Sequence, residues 1–322
     1  MKPPGPKLSV IIVGYNTREP LERCLQTLRD VNVSFGMEII VVDNQSPDDS
    51  LVMLKSFEDW PALRVIANEV NVGFASACNQ AARYATGEHL LFLNPDTVAN
   101  KPCLEAMAGY LDSHPEVAVV GPGLTGTDGK LQESCGGSWS PAYIAFSVFL
   151  PRRISTGLYA RKCRDRASRG AASVDWVLGA CAAIRRNVFD TTGGFDPNFF
   201  LGAGDMADLC LRIRRLGHQV IYLGQVSMFH EGGASVKKTR PAMLLHLYRW
   251  QLYYSRKHYG KGWESALRVF FSAISLWKGL LASLLSIVAW RRYNQIAKAH
   301  LFAAFRLPAL SIPSPGDRPH KT

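Results

Sequence analysis

Four apolar residues in succession, Leu90-Leu91-Phe92-Leu93, stop abruptly at Asn94-Pro95-Asp96. An apolar run without alternation reads as a strand buried on both faces, the condition of a strand inside a mainly parallel sheet covered by helices. Pro95 removes a backbone donor and fixes φ, so the strand ends there and Asn94 and Asp96 emerge at its carboxyl end. In open α/β sheets that edge is where ligands sit. A carboxylate there suits Mg2+ or Mn2+ held against a diphosphate, because these ions take few protein carboxylates and leave positions for phosphate oxygens. An isolated Asn-Pro-Asp would read as a turn. Two further buried runs, however, end in the same manner: Leu8–Val13 on Gly14-Tyr15-Asn16, and Glu38–Val42 on Asp43-Asn44-Gln45-Ser46. Three polar strand ends together indicate a nucleotide-type site at one sheet edge.

Helical spacing fills the intervals. Pro20 is placed for a helix start, and Leu21, Cys24, Leu25 and Leu28 recur at three- and four-residue steps. Leu51, Met53, Leu54 and Phe57 suggest a second helix, Ala75–Ala85 a third rich in small residues, and Pro102–Leu111 a fourth. Short strands are expected at Leu63–Ile66, Val117–Val120 and Val220–Leu223, a helix at Asp205–Leu216, and a polar turn at Phe229–Gly233. Strand–helix alternation at this spacing implies right-handed crossovers. Residues Ser138–Ala172 carry aromatic and basic side chains without a period, including Arg152, Arg153 and the run Arg161–Arg169. They read as a mobile loop or an acceptor-side excursion, with Asp175 and Trp176 assigned to the acceptor side. Dinucleotide binding is disfavoured, since the turn after Val13 has one glycine where Gly-x-Gly-x-x-Gly is needed; a phosphate loop with its lysine is also missing.

Charge separates the chain into two parts. Residues 1–230 carry 22 Lys+Arg against 23 Asp+Glu, a net of −1, whereas residues 231–322 carry 15 against 3, a net of +12. Within the second part Val269–Trp290 holds a single charge, Lys278, flanked by Arg268 and Arg291-Arg292. The length would span a bilayer, but a central lysine costs roughly 2.5–3.5 kcal/mol on insertion scales. Flanking arginines and interspersed tryptophans fit a helix lying in the membrane interface. A basic tail could serve nucleic acid instead, but this one is apolar-rich and has no reading motif, so no nucleic-acid partner is expected. The seven cysteines form no Cys-x-x-Cys pair and are expected as free, buried thiols in a reducing compartment. The Pro-rich start is too short in apolar residues for a signal peptide. The expected location is therefore cytoplasmic, peripheral on the cytoplasmic face of the membrane.

Six segments, taken together, resemble family 2 glycosyltransferases of the GT-A fold, above all the rhamnosyltransferase-like branch that acts in bacterial surface polysaccharide synthesis. They are Val10–Asn16, Val41–Ser46, Asn71-Val72-Gly73-Phe74-Ala75, Phe92–Asp96, Gly193–Phe200 and His230–Ser235, in the family's order. The resemblance implies a GT-A catalytic domain over residues 8–235, a Rossmann-like mainly parallel sheet flanked by helices. It leaves a basic, apolar helical extension over 236–306 and a disordered tail over 307–322. It also implies that Tyr15 and Asn16 lie by the nucleotide, that Asp43 accepts a hydrogen bond from the base edge, and that Asn71 and Gly73 let the chain pass close to the donor. Asp96 becomes the aspartate of the Asp-x-Asp-type metal site, Asn94 replaces the first acid, and His230 completes the metal or diphosphate contacts.

One segment departs from the branch's pattern, which runs Leu-x-x-Glu-Asp-x-Asp-Leu-Cys-x-Arg after Phe-Phe. This chain reads Leu201-Gly202-Ala203-Gly204-Asp205-Met206-Ala207-Asp208-Leu209-Cys210, with one extra residue and no glutamate. Matched from the left, Asp205 falls on the general base; matched from the right, Met206 does. Methionine cannot take a proton, so Asp205 is preferred, with Asp208 as the second catalytic candidate. The implied reaction is metal-dependent transfer of a sugar, rhamnose by the branch, from a nucleotide-sugar donor to a lipid-linked saccharide acceptor. One base without a second nucleophilic carboxylate implies inversion. The altered Gly204–Asp208 stretch supports one competitor, an inactive family member that binds donor or scaffolds a complex.

Overall fold

The computed structural model describes residues 5–149, 161, 165, 167–168, 170–199, 204–232, 240–287 and 290–313. Expectations that fall on Arg152, Arg153, Cys163, Arg164, Arg166, Arg169, on residues 200–203 and 233–235, and on 314–322 lie outside these. The chain divides into two compact units, Met1–Ser138 with Arg152–Ser235, and Trp139–Pro151 with Val236–Thr322.

In chain order the first unit contains β1 (Leu8–Gly14), α1 (Arg18–Asp30), β2 (Met37–Asp43), α2 (Ser50–Lys55), β3 (Leu63–Ala67), α3 (Phe74–Ala82), β4 (His89–Leu93), β5 (Thr97–Val98), α4 (Lys101–Ser113) and β6 (Val117–Thr125). There follow β7 (Leu131–Gln132), β8 (Cys135–Gly136), β9 (Ala171–Ser173), β10 (Trp176–Val177), β11 (Cys181–Arg185), α6 (Arg186–Thr191), α7 (Asp205–Arg215) and β12 (Gln219–His230). The main sheet runs β3-β2-β1-β4-β11-β6-β12-β5. Its first four strands are parallel, and β6 and β12 are parallel to each other. The sheet is mixed, with mostly parallel strands: β11 enters antiparallel between β4 and β6, and β5 antiparallel to the end of β12.

The unbroken apolar runs are explained by two cores, one on each face. Val10, Ile12, Ile39, Val41, Leu91 and Leu93 pack with Leu21, Leu25 and Leu28 of α1, Leu54 of α2 and Leu104 and Met107 of α4. Ile11, Val13, Ile40, Val42, Leu90 and Phe92 pack with Ala77 and Cys78 of α3, Phe189 of α6 and Leu209 and Ile213 of α7. Neighbours in sequence thus enter opposite cores, and each fully buried Val, Leu or Ile contributes about 1.5–3 kcal/mol. Phe92 anchors the second core, with ring centroids 5.2 Å from Phe189 and 4.8 Å from Phe195.

Three expectations are corrected. The strand foreseen at Val220–Leu223 continues to His230, where a polar turn was expected. A register shift between Leu223 and Ser227 against β6 breaks the alternation and hides the second half of the strand from a periodicity reading. The stretch Ser138–Ala172 contains a helix, α5 (Pro141–Phe149), which belongs to the second unit, and the start of β9. Its sequence Pro-Ala-Tyr-Ile-Ala-Phe-Ser-Val-Phe is apolar nearly all round, so it shows no amphipathic period. The tail expected to be disordered from residue 307 is held through Ile312. Leu307 and Ile312 are buried, Arg256 Nη1 donates to Ile312 O at 2.6 Å, and Arg268 Nη1 to Leu307 O at 2.6 Å and Leu310 O at 2.8 Å.

The second unit also contains α8 (Arg240–Tyr259), α9 (Lys261–Ser286) and α10 (Trp290–Arg306). Tyr248 of α8 stacks on Phe271 of α9 at 4.4 Å. α10 crosses close at Gly279, where a Cβ would stand 2.8 Å from Leu301. Glu264 is buried against Arg268 at 2.7 Å. The six described cysteines are buried, and burial pushes the Cys24 and Cys210 thiols up to about 12, which keeps them protonated and inert.

Candidate active site

The polar strand ends do share one edge. Gly14 and Asp43 are register partners, and Asn44 N donates to Gly14 O at 2.8 Å. The Asn44 side chain ties the neighbouring loop down. Its Oδ1 accepts from Val72 N and Asn68 Nδ2, both at 3.1 Å, and its Nδ2 donates to Asn71 Oδ1 at 2.8 Å. Asn71 Oδ1 also accepts from Gly73 N at 2.9 Å, so Asn71 shapes the entry to α3 with its side chain. Gly73 sits at φ 82°, in the region that favours glycine. Asn16 and Gln45 also adopt left-handed backbone, at φ 54° and 65°. Such conformations cost free energy in non-glycine residues and cluster at functional sites. Asp43 is fully buried; Oδ2 accepts from Ser46 N at 3.0 Å, while Oδ1 has no partner among the described residues and stands as an acceptor awaiting a donor. Tyr15 is exposed.

The strongest convergence lies further along the edge. The extension of β12 pairs His230 with Thr97 of β5 and brings the imidazole to residues 94–96, 134 positions earlier in the chain at its closest. His230 Nε2 is 3.3 Å from Asp96 Oδ1 and 3.3 Å from Asn94 Nδ2. On the far side of the ring, Nδ1 meets Gln132 Oε1 at 2.8 Å, and Gln132 Nε2 donates to the His230 carbonyl at 2.7 Å. That second bond fixes the amide's orientation, so Gln132 offers an oxygen and Nδ1 carries the proton. The Nε2 lone pair then faces a carboxylate oxygen, and a proton or a cation between them is required for attraction. Burial pushes the Asp96 carboxyl up, but the His230 hydrogen bond and charge, with the Gly232 N–H at 3.1 Å, outweigh it and hold the group below the ordinary carboxylate range. Two donor atoms 3.3 Å apart match neighbouring ligands of an octahedral ion, which lie ~3.0 Å apart at the usual Mg2+ bond length. The donor set fits a divalent cation. Gln132 was missed from the sequence because nothing in Lys130-Leu131-Gln132 signals it.

Asp205 opens α7 directly after Gly204, whose φ of 83° makes the turn into the helix. Its Oδ1 accepts from Met206 N at 2.7 Å, and its buried Oδ2 has no partner among the described residues. Burial, reinforced by the negative Asp208 and opposed by the Met206 N–H, raises this carboxyl to about 7. Asp208 differs. It is fully buried and accepts from Arg212 Nε at 2.9 Å, and Arg212 goes on to the Thr192 and Gly194 carbonyls at 2.7 Å each. Asp208 thereby locks α7 to the Gly193-Gly194 turn. The two residues assigned to the acceptor side also have structural partners: Asp175 pairs with Arg214, and Trp176 Nε1 donates to Gly137 O at 2.9 Å while its ring lies over Gly136.

A second group of metal-type side chains, Glu88, His89 and Asp112, gathers at the start of β4, the sheet edge opposite Asn94. Lys7 Nζ already bridges Glu88 at 3.2 Å and Asp112 at 3.0 Å, so this cluster braces the starts of β1 and β4 against the end of α4.

The chain resembles known proteins along most of its length. It is 23% identical over 279 residues to an N-acetylglucosaminyl-diphospho-decaprenol L-rhamnosyltransferase of Mycobacterium tuberculosis, covering 81% of this chain and 88% of that one. It is 25% identical over 228 residues to rhamnosyltransferase WbbL of Escherichia coli K12, covering 69% and 82%. In fold it is similar to the mannosyltransferase PcManGT of Pyrobaculum calidifontis, solved in complex with GDP-Man and Mn2+, with a TM-score of 0.54 at 18% identity over 95% of this chain and 88% of the other. The fold is GT-A. A model of "Glycosyl transferase family 2" matches residues 9–192, more than half of the sequence, and the chain belongs to that family and is a glycosyltransferase.

Proposed function

We propose that the enzyme transfers a sugar, rhamnose on the strength of its relatives' names, from a nucleotide-diphosphate donor to a saccharide carried on a lipid diphosphate, with inversion at the anomeric carbon. The observation that carries the proposal is the meeting of Asp96, His230 and Asn94 at the edge where Asp43 and Asn44 also end. The unpartnered Asp43 Oδ1 would accept from the base, with Tyr15 and Asn16 beside it. Asp96 and His230 would hold Mg2+ or Mn2+, which supplies charge neutralisation to the departing diphosphate. Asp205 takes the acceptor's hydroxyl proton as the acceptor oxygen bonds to the anomeric carbon. The bond to the diphosphate breaks and its electron pair leaves with the phosphate oxygen.

A thermal-shift screen of nucleotide sugars with and without Mn2+ tests this. One donor should raise the melting temperature further when the cation is added, and should then be hydrolysed or transferred. A cation-dependent shift without either reaction would favour the inactive, donor-binding reading; no shift with any nucleotide sugar would sink both.

Gln132 provides a finer test. Gln132→Leu removes the acceptor that fixes the His230 tautomer, and is expected to weaken Mn2+ affinity by about 10–100-fold. Titration of the protein with Mn2+ followed by electron paramagnetic resonance reads this without turnover. Unchanged affinity would show that His230 needs no orienting partner.

A further inference from the structure

We infer that α9 lies in the membrane–water interface, with one face in the lipid and its central lysine turned away from it. Lys278, the only charge between Val269 and Ile287, argues on sequence against a span and leaves open which way the side chain turns in a helix lying at the interface. In the folded unit it is half-buried and its Nζ donates to the Val148 carbonyl of α5 at 2.7 Å. The opposite face is left apolar and uncovered. Val269, Ala273, Leu276, Leu280, Leu284 and Ile287 follow one another at steps of three and four, the spacing of a single helix face. All are exposed, reaching 70% at Val269, 65% at Leu284 and 81% at Ile287, and Trp277 beside them is 57% exposed. At 1.5 Å per residue this face runs for about 27 Å. Single exposed leucines are ordinary, but a charge-free face of five turns marks an interaction surface.

Charge selects the occupant. The surface belongs to the segment with a net of +12, in which α8 and α10 each carry four Lys+Arg. An apolar face amid positive charge complements anionic lipid headgroups over acyl chains. The same basic helices argue against crossing. α9 is long and apolar enough to span, but its other face is packed through Tyr248 and Leu301 to α8 and α10, which would carry their charges into the bilayer at roughly 2.5–3.5 kcal/mol each. The helix therefore lies on the membrane. This inference does not depend on the reading of the donor site, and its test involves no sugar.

Purified full-length protein should sediment with vesicles containing phosphatidylglycerol and less with pure phosphatidylcholine, and high salt should release only part of it, because screening weakens the basic attraction and leaves the apolar contact. Lipids brominated on the acyl chain should quench tryptophan emission, and Trp277→Phe should remove most of that quenching. Leu280→Glu with Leu284→Glu should lower partitioning by at least about 100-fold, since loss of each leucine's burial is worth tenfold or more. Both positions are exposed, so the melting temperature and donor-induced shift should be unchanged. Several results would overturn the inference: protein left in the supernatant at low salt, full binding by the double variant, or resistance to alkaline carbonate, which would mean a span. A dimer in solution that the double variant converts to monomer, without vesicle binding by the native chain, would assign the face to a second copy.

Discussion

Asp205→Asn should lower turnover by about 10²–10⁴-fold and, above neutral pH, make the protein more stable. The two effects share one cause. Asp205 is buried, its Oδ2 has no partner among the described residues, and its carboxyl is raised to about 7. A base poised there is ionised at working pH and strong enough to take a hydroxyl proton during bond formation. The price is carried by the fold. Because the folded value lies above the unfolded one, the native state binds more protons, and stability falls as pH rises from the ordinary carboxylate range through about 7. Asparagine keeps the shape without the charge, so the variant should gain on the order of 2–4 kcal/mol at pH 8, shrinking as the pH is lowered toward 4. Denaturant unfolding at several pH values reads this, and kcat/KM of the native enzyme should rise with pH through an apparent pKa near 7. Asp208→Asn has the opposite stability signature, because it strands the Arg212 guanidinium that ties α7 to the Gly194 turn. A variant at Asp205 that loses stability at pH 8, or keeps its turnover, would remove Asp205 from the role of base.

Asp96→Asn should abolish cation-dependent binding of nucleoside diphosphate, by at least about 100-fold in affinity, while leaving the fold intact. The neutral amide still offers an oxygen to Gly232 N, which the carboxylate now accepts at 3.1 Å, so the local backbone has its acceptor. What disappears is the negative charge that, with the His230 Nε2 lone pair, makes the site attractive to a cation. Calorimetric titration with a nucleoside diphosphate, with and without Mn2+, separates the parts. The cation-independent share, resting on Asp43 and the Asn44 network, should persist, and only the increment from Mn2+ should vanish. An unchanged increment would mean that the cation, or the diphosphate, is held elsewhere.

Much of this was legible in the chain because burial on both faces leaves a plain trace. Leu8–Val13, Glu38–Val42 and Leu90–Leu93 read as strands because their apolar residues enter one of two cores in turn, and each ends at a polar break on the same sheet edge. Asn94-Pro95-Asp96 is a local signal: proline removes a ladder donor just where the apolar run gives way to polar residues. The proposal of Asp205 rather than Met206 as the base rests on side-chain chemistry alone.

Other features depended on contacts across long separations. β11 enters antiparallel beside β4, a pairing that its short apolar sequence, Cys-Ala-Ala-Ile-Arg, does not announce. The run of β12 to His230 was hidden by the register shift near Leu223, and without it His230 reads as a turn residue. Gln132 carries no signature, because an amide acquires meaning only from what it faces, here the Nδ1 of a histidine 98 positions away. The sequence does not announce that Asp208, a catalytic candidate by its place in the motif, accepts from Arg212 at 2.9 Å. Lys278 is the clearest case. Sequence places a charge in the middle of an apolar helix; the tertiary structure decides that its side is the one packed against α5, where Lys278 meets the Val148 carbonyl. Local pattern thus determined the strands, the site edge and the family, since burial and proline act on neighbours in sequence, whereas the pairing of titratable groups and the direction of a long side chain were decided by the tertiary structure, since both depend on partners that only folding brings within a few ångströms.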